Sequence, residues 1–170
     1  MKIPLQQLPH DTESYLQHVL GLFVTSLQHM LGEHAASFVT VISQNLAEQL
    51  NAHYQHTFGV THLDRAQLRL VLDDFKQRIG ADFFILEEHE SGITLGNRRC
   101  PFGEAIQNNP ALCHLMSNLL GIITAENLGY ANIVLDQTMA EGHPMCIVRI
   151  ILNAEESVDG FEYFATPQFL

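Results

Sequence analysis

Basic residues are scarce in this 170-residue chain: eight Lys and Arg stand against nineteen Asp and Glu, a net charge of −11 with neutral histidines. Proteins that grip nucleic acid need cations to replace the counterions around phosphate, and the largest basic cluster here is the pair Arg98-Arg99. Direct binding to DNA or RNA is therefore not expected, and neither is docking on anionic lipid. No apolar run approaches the ~20 residues that cross a bilayer. The first fifteen residues lack the apolar core of a secretory signal, so the cytoplasm is the expected compartment. Gly/Ser linkers, internal repeats and low-complexity stretches are missing too, as are GxSxG, HExxH, Walker and GxGxxG sequences. None of the acidic residues or ten histidines forms a recognisable acid–base pair, so catalysis is not the expected role. The histidines fall at irregular spacing, which suits solvated helix faces better than a metal cage.

What is present is a globular composition, with 46% apolar and 16% charged residues. The apolar residues repeat at helical spacing through the first 80 positions. Asp11-Thr12 caps a first run that carries Tyr15, Leu16, Val19, Leu20, Phe23, Leu27, Met30 and Leu31 and ends at Gly32. A second run holds Phe38, Val41, Ile42, Leu46, Leu50 and Tyr54 and stops near Gly59. A third, capped by Thr61 or Asp64, places Leu68, Val71, Leu72, Phe75 and Ile79 on one stripe before Gly80. Such stripes predict a core together with an oligomer seam, and a homodimer is expected.

The character changes at Ala81. Residues 82–87 and 93–97 read as two strands around a turn, 130–136 and 145–152 as two more. Between the pairs, Asn109-Pro110 marks a helix start, with an Asn cap and Pro where no N–H is needed, and the helix runs to Gly129. The expected fold is α+β: three N-terminal amphipathic helices packed on a small antiparallel sheet with one further helix. Residues 1–152 form one domain, with a helical half over 1–80 and a cysteine-containing half over 81–152. The tail over 153–170 either docks on the domain or serves as a partner peptide.

Three cysteines are an odd count, which a disulfide framework in a reducing compartment does not explain. Cys100 lies in a loop before Pro101, Cys113 in the first turn of the Asn109-Pro110 helix, and Cys146 at the start of a strand. Each sits at a boundary where loops converge, whereas core thiols fall more often inside elements. The helix N-terminus is expected to depress the Cys113 pKa and favour its thiolate, which also makes it the preferred nucleophile if the thiols act without metal. No CxxC pair occurs, so the spacing alone does not name a zinc finger or a ferredoxin.

The stretch Asn97-Arg98-Arg99-Cys100-Pro101-Phe102-Gly103-Glu104-Ala105, then Pro110-Ala111-Leu112-Cys113, Gly121, Gly142 and Cys146-Ile147-Val148-Arg149-Ile150, resembles the methanogen output domain. That resemblance implies a small signalling module related to vinyl-reductase-type ligand-binding domains. The cysteine order, with twelve residues between Cys100 and Cys113 and thirty-two between Cys113 and Cys146, is also similar to the sensor half of iron–sulfur repressors of cluster-assembly operons. The second resemblance implies that Cys100, Cys113 and Cys146 ligate a [4Fe–4S] cluster. The repressors' basic recognition helix has no counterpart in the acidic first 80 residues, so their DNA binding is not implied.

A fourth metal position is left for His143, on the Gly142-His143-Pro144 turn, for an external thiol or water, or for His114, which sits ~100° from Cys113 on its helix. An open position makes a cluster responsive to oxygen, nitric oxide or small ligands, whereas a Cys3His set suits structural zinc. The expected function is a metal- or iron–sulfur-binding sensor that signals through a protein partner or across a homodimer. A zinc-stabilised small-molecule-binding domain and a thiol-dependent enzyme are the alternatives.

Overall fold

The computed structural model describes residues 11–32, 34–107, 109–156 and 158–167. Most of the N-terminal segment considered for a secretory signal, and the end of the C-terminal tail, lie outside the described residues. The first helix, α1 (Thr12–Leu31), begins where the Asp11 carboxylate accepts from the Ser14 backbone N–H at 2.8 Å and ends at Gly32. The second, α2, runs from His34 to Phe58. Asp64 caps the third, α3 (Arg65–Ile79), through the Gln67 N–H, and Gly80 closes it in the left-handed region.

Next come β1 (Phe83–His89), β2 (Gly92–Asn97), α4 (Pro110–Leu128), β3 (Tyr130–Gln137), β4 (Cys146–Ile151) and β5 (Phe161–Phe164). The strands form one antiparallel sheet in the order β1-β2-β4-β3-β5. The tail thus docks on the domain: β5 pairs with β3 at the sheet edge. Its Tyr163 lies across α4, where Gly121 leaves the space; a side chain at 121 would occupy the tyrosine ring's position. The Tyr163 hydroxyl donates to Asn118 Oδ1 at 2.7 Å.

Helix α4 is the spine. Its Leu119 and Ile123 pack with Val71 and Phe75 of α3 and Ala47 and Tyr54 of α2, while Leu120 faces Leu95, Ile133 and Val148 of the sheet. Leu119 and Ile133 are 1% and 0% exposed, and each such burial stabilises the fold by roughly 1.5–3 kcal/mol. Asn127 braces the helical layer. Its Oδ1 accepts from the Leu63 N–H at 2.7 Å, and its Nδ2 donates to Asn51 and to the Ile123 carbonyl.

The α1 stripe does not enter this core. Tyr15, Leu16, Val19, Phe23 and Met30 are all exposed, and the buried residue of α1 is Val24, which is not on the stripe. In α2 the buried positions are Ala35, Val39, Ser43, Ala47 and Tyr54, and of the apolar set read from the sequence only Tyr54 is among them. Periodicity identifies an apolar face, but small residues let α2 approach α4 closely, so the larger ones turn outward. No helix among the described residues is long and apolar enough to cross a membrane.

Candidate functional site

Three segments bring the cysteines together. Asn97 ends β2, and its buried Oδ1 accepts from the N–H groups of Asp82 at 3.0 Å and Arg99 at 3.3 Å, which fixes the chain leading to Cys100. Gly103 then turns the backbone at φ 52° and donates its N–H to the Cys100 carbonyl at 3.1 Å. A short 3-10 turn, Gly103–Ile106, connects to α4. Asn109 precedes that helix but does not cap it with its side chain. Instead its amide donates to the Ala105 carbonyl at 2.8 Å and its Oδ1 accepts from the Thr25 hydroxyl at 3.2 Å. The asparagine therefore joins α1, the 3-10 turn and α4 rather than closing the helix on itself. Cys113 follows one turn into α4.

Cys146 opens β4 directly opposite Asn97 in the β2–β4 ladder. A second 3-10 turn, Met139–Glu141, lies beside it, and the Met139 N–H points at Cys146 Sγ from 3.4 Å. The Thr138 hydroxyl, which starts this turn, donates to the Glu141 carboxylate at 2.8 Å. The Thr-x-x-Glu spacing of 138–141 is a helix-start pattern that marks this turn in the sequence, although it carries no hint of a thiol neighbour.

All three thiols line one cavity of about 50 Å3, with Phe83, Phe102, Met116, Leu135 and Val148 as apolar walls and Thr138 and Asn97 as polar ones. A cavity needs roughly 10–15 Å3 to admit one water, so this one takes an ion or a few small atoms. Among the described residues, no group of three or more His, Cys, Asp and Glu side chains is gathered closely enough to hold a metal ion. The sulfurs share a cavity without converging on a point.

The cavity keeps its thiols protonated. Burial pushes Cys113 up to about 12, reinforced by charge on Cys146, Cys100 and Glu141. Burial also raises Cys100, opposed by the N–H groups of Phe102 and Gly103, and raises Cys146, opposed by the Met139 N–H. The expectation that the α4 N-terminus depresses the Cys113 pKa is thus corrected. Desolvation in an apolar cavity and like-charged neighbours outweigh the helix dipole, which also removes the ground for Cys113 as a free nucleophile.

His143 lies elsewhere. It is exposed, and it lines an outer cleft of about 580 Å3 with Arg98, Arg99, Gln17 and Cys100. Cys100 lines both this cleft and the thiol cavity, so it stands between them. His114 turns its ring edge-on to Phe161, with centroids 5.0 Å apart.

The site is also the seat of α1. Leu20 and Val24 of that helix cluster with Cys100, Phe102, Ile106 and Cys113. Gln17 donates to the Pro101 carbonyl at 3.1 Å, Gly21 lies against Ala105, and Glu13 pairs with Arg99 at 3.2 Å. This contact is hard to read from the sequence, because the side of α1 that makes it mixes Gln17 and Gly21 with Leu20 and Val24 and is less apolar than the opposite side.

Residues 19–151, well over half of the chain, match the family described as methanogen output domain 1. The match includes all three cysteines, α2, α3, α4 and the first four strands. No curated protein matches the chain.

Proposed function

Because the chain belongs to the methanogen output domain 1 family, we propose that it is a signalling domain whose thiols Cys100, Cys113 and Cys146 take a thiophilic metal centre and whose first helix reports it. The observation that carries this reading is the approach of three thiols, from a loop, a helix start and a strand start, to one apolar cavity. Backbone N–H groups directed at two of the sulfurs support it, since such donors stabilise thiolate once a cation has displaced the protons.

The donor set suits soft or borderline metals. A cavity of about 50 Å3 favours a single ion such as Zn2+. A [4Fe–4S] cluster has eight atoms and needs the Cys100–Ile106 segment to swing toward the outer cleft that Cys100 already lines. A bound metal would offer an exchangeable coordination position, because three thiols and no fourth charged ligand line the cavity among the described residues. His143 becomes a fourth ligand only if its turn folds inward from the surface.

The chain's own residues carry the report. Any shift of Cys100 moves Pro101, Phe102 and the 3-10 turn, and these hold α1 through Gln17, Gly21 and Val24. The contact is narrow, which suits an element that changes position, because few buried contacts must break.

The test is anaerobic purification of the full chain, followed by metal and sulfide analysis and a visible spectrum. About one zinc per chain without colour, or iron and sulfide with a broad charge-transfer band, supports the reading and separates the two occupants. Protein that is metal-free, and that takes up neither Zn2+ nor iron and sulfide when these are added anaerobically, overturns it.

A further inference from the structure

The helical hairpin of α1 and α2 shows its larger apolar side chains to solvent. Of the sixteen exposed large apolar residues among the described residues, eleven lie on these two helices, among them Leu16, Val19, Phe23 and Met30 of α1 and Phe38 and Val41 of α2. On α1 the outward stripe is centred roughly 130° from Gln17, Gly21 and Val24, at ~100° per residue. The helix therefore rests on the domain by the side that carries Gln17, Gly21 and Val24, with Leu20 at its margin, and keeps most of its larger apolar side chains exposed. That is the reverse of a surface helix packed for its own core.

The patch is large and has relief. Over the whole hairpin the eleven side chains, each at least one-third exposed, present on the order of 1,000 Å2 of apolar surface, most of it on the outward stripe and its flanks, with Leu22 and Leu31 about 180° apart on α1. The largest patch on a monomer is typically ~300–600 Å2, while a stable dimer buries ~800 Å2 on each partner. Beside the stripe, a groove of about 780 Å3 runs between α1 and the α2–α3 layer, with Leu16, Leu46, Phe75 and Met116 among its walls.

Charge identifies the occupant. The molecule carries −11, yet residues 12–58 hold three of its nineteen Asp and Glu and no Lys or Arg. Two acidic copies repel wherever their charged faces meet, and this hairpin is the stretch of surface on which they meet with little charge. A basic partner would seek the acidic remainder instead.

We infer that a second copy of this chain covers the face: the apolar stripe of α1 and the first half of α2 pack isologously on their counterparts, with side chains of one stripe entering the groove of the other. The inference rests on the stripe and the groove rather than on metal, although Phe102 and Met116 wall both the groove and the thiol cavity.

Sedimentation of the full chain at micromolar concentrations, with its metal content measured in parallel, tests this. The wild-type chain sediments as a dimer, and Val19→Glu/Val41→Glu as a monomer with an unchanged circular dichroism spectrum and at least a hundredfold weaker self-association. Leu70→Glu alters an exposed apolar residue of α3 outside the face and leaves the dimer intact. A monomeric wild-type chain overturns the inference, as does a dimer that survives the double substitution or is lost in Leu70→Glu. Metal loading serves as a separate readout, so failure of the dimer is distinguishable from failure of the thiol site.

Discussion

If Cys100, Cys113 and Cys146 ligate a cation, binding releases protons, and the structure fixes how many. All three thiols are held above the ordinary value of 9.0 by burial, Cys113 at about 12. A thiol of pKa 9 is about 3% ionised at pH 7.5, and one of pKa 12 far less. Metal takes thiolate, so saturation with Zn2+ at pH 7.5 displaces close to three protons per chain. Apparent affinity then rises by up to about a thousandfold between pH 7 and pH 8, tenfold for each thiol. The assay is calorimetric titration of metal-free protein in two buffers of different ionisation enthalpy, whose difference counts the protons directly. Release of one proton or none refutes the reasoning, because it means that the ligands are already ionised or are not these thiols.

In alkali, the folded state holds the protons of Cys113, Tyr54 and Tyr163 more tightly than the unfolded chain. All three are pushed up to about 12, from ordinary values of 9.0 for the cysteine and 10.0 for the tyrosines. The stability they contribute is complete below pH 9 and is lost as pH rises to about 12, so urea midpoints fall across that window. Cys113→Ala should make the fall shallower between pH 9 and 10, and an unchanged curve counts against burial as the cause. Gly121→Leu forces Tyr163 off α4 and should destabilise the domain by roughly 1–3 kcal/mol, lifting β5 from the sheet edge, as hydrogen exchange at residues 161–164 reports. Asn127→Ala leaves the Leu63 N–H unpaired and loosens α2 from α4, for a loss of about 2–3 kcal/mol in denaturant unfolding.

Much of the fold was legible because its signals are local. Asp11 and Asp64 cap helices where the sequence placed caps, Gly32 and Gly80 end them, and four strands fall within a residue or two of their expected positions. β5 was not legible as a strand: Phe161–Phe164 is too short to stand out, and it exists through pairing with β3. The stripe of α1 was expected to serve core and oligomer seam together, and its division between the two was not legible for a different reason. An apolar stripe looks the same whether it meets a core or a partner, and the contacts of Gln17, Gly21 and Val24 show which side is seated.

At the site, the placing of each cysteine at an element boundary could be read from flanking Pro101, Pro110 and Pro144. What could not be read was the register that sets Cys146 opposite Asn97, or the desolvation that reverses the expected shift of Cys113. Both depend on partners distant in sequence.

The proposed role of this chain turns on whether the three thiols act as one site. The decisive measurement is anaerobic Zn2+ binding by the full chain and by Cys100→Ser, Cys113→Ser and Cys146→Ser, each checked for a native circular dichroism spectrum. About one ion per wild-type chain is expected, with a loss of at least a hundredfold in affinity from every single substitution. Any one serine variant that folds and binds zinc as the wild type does contradicts that role.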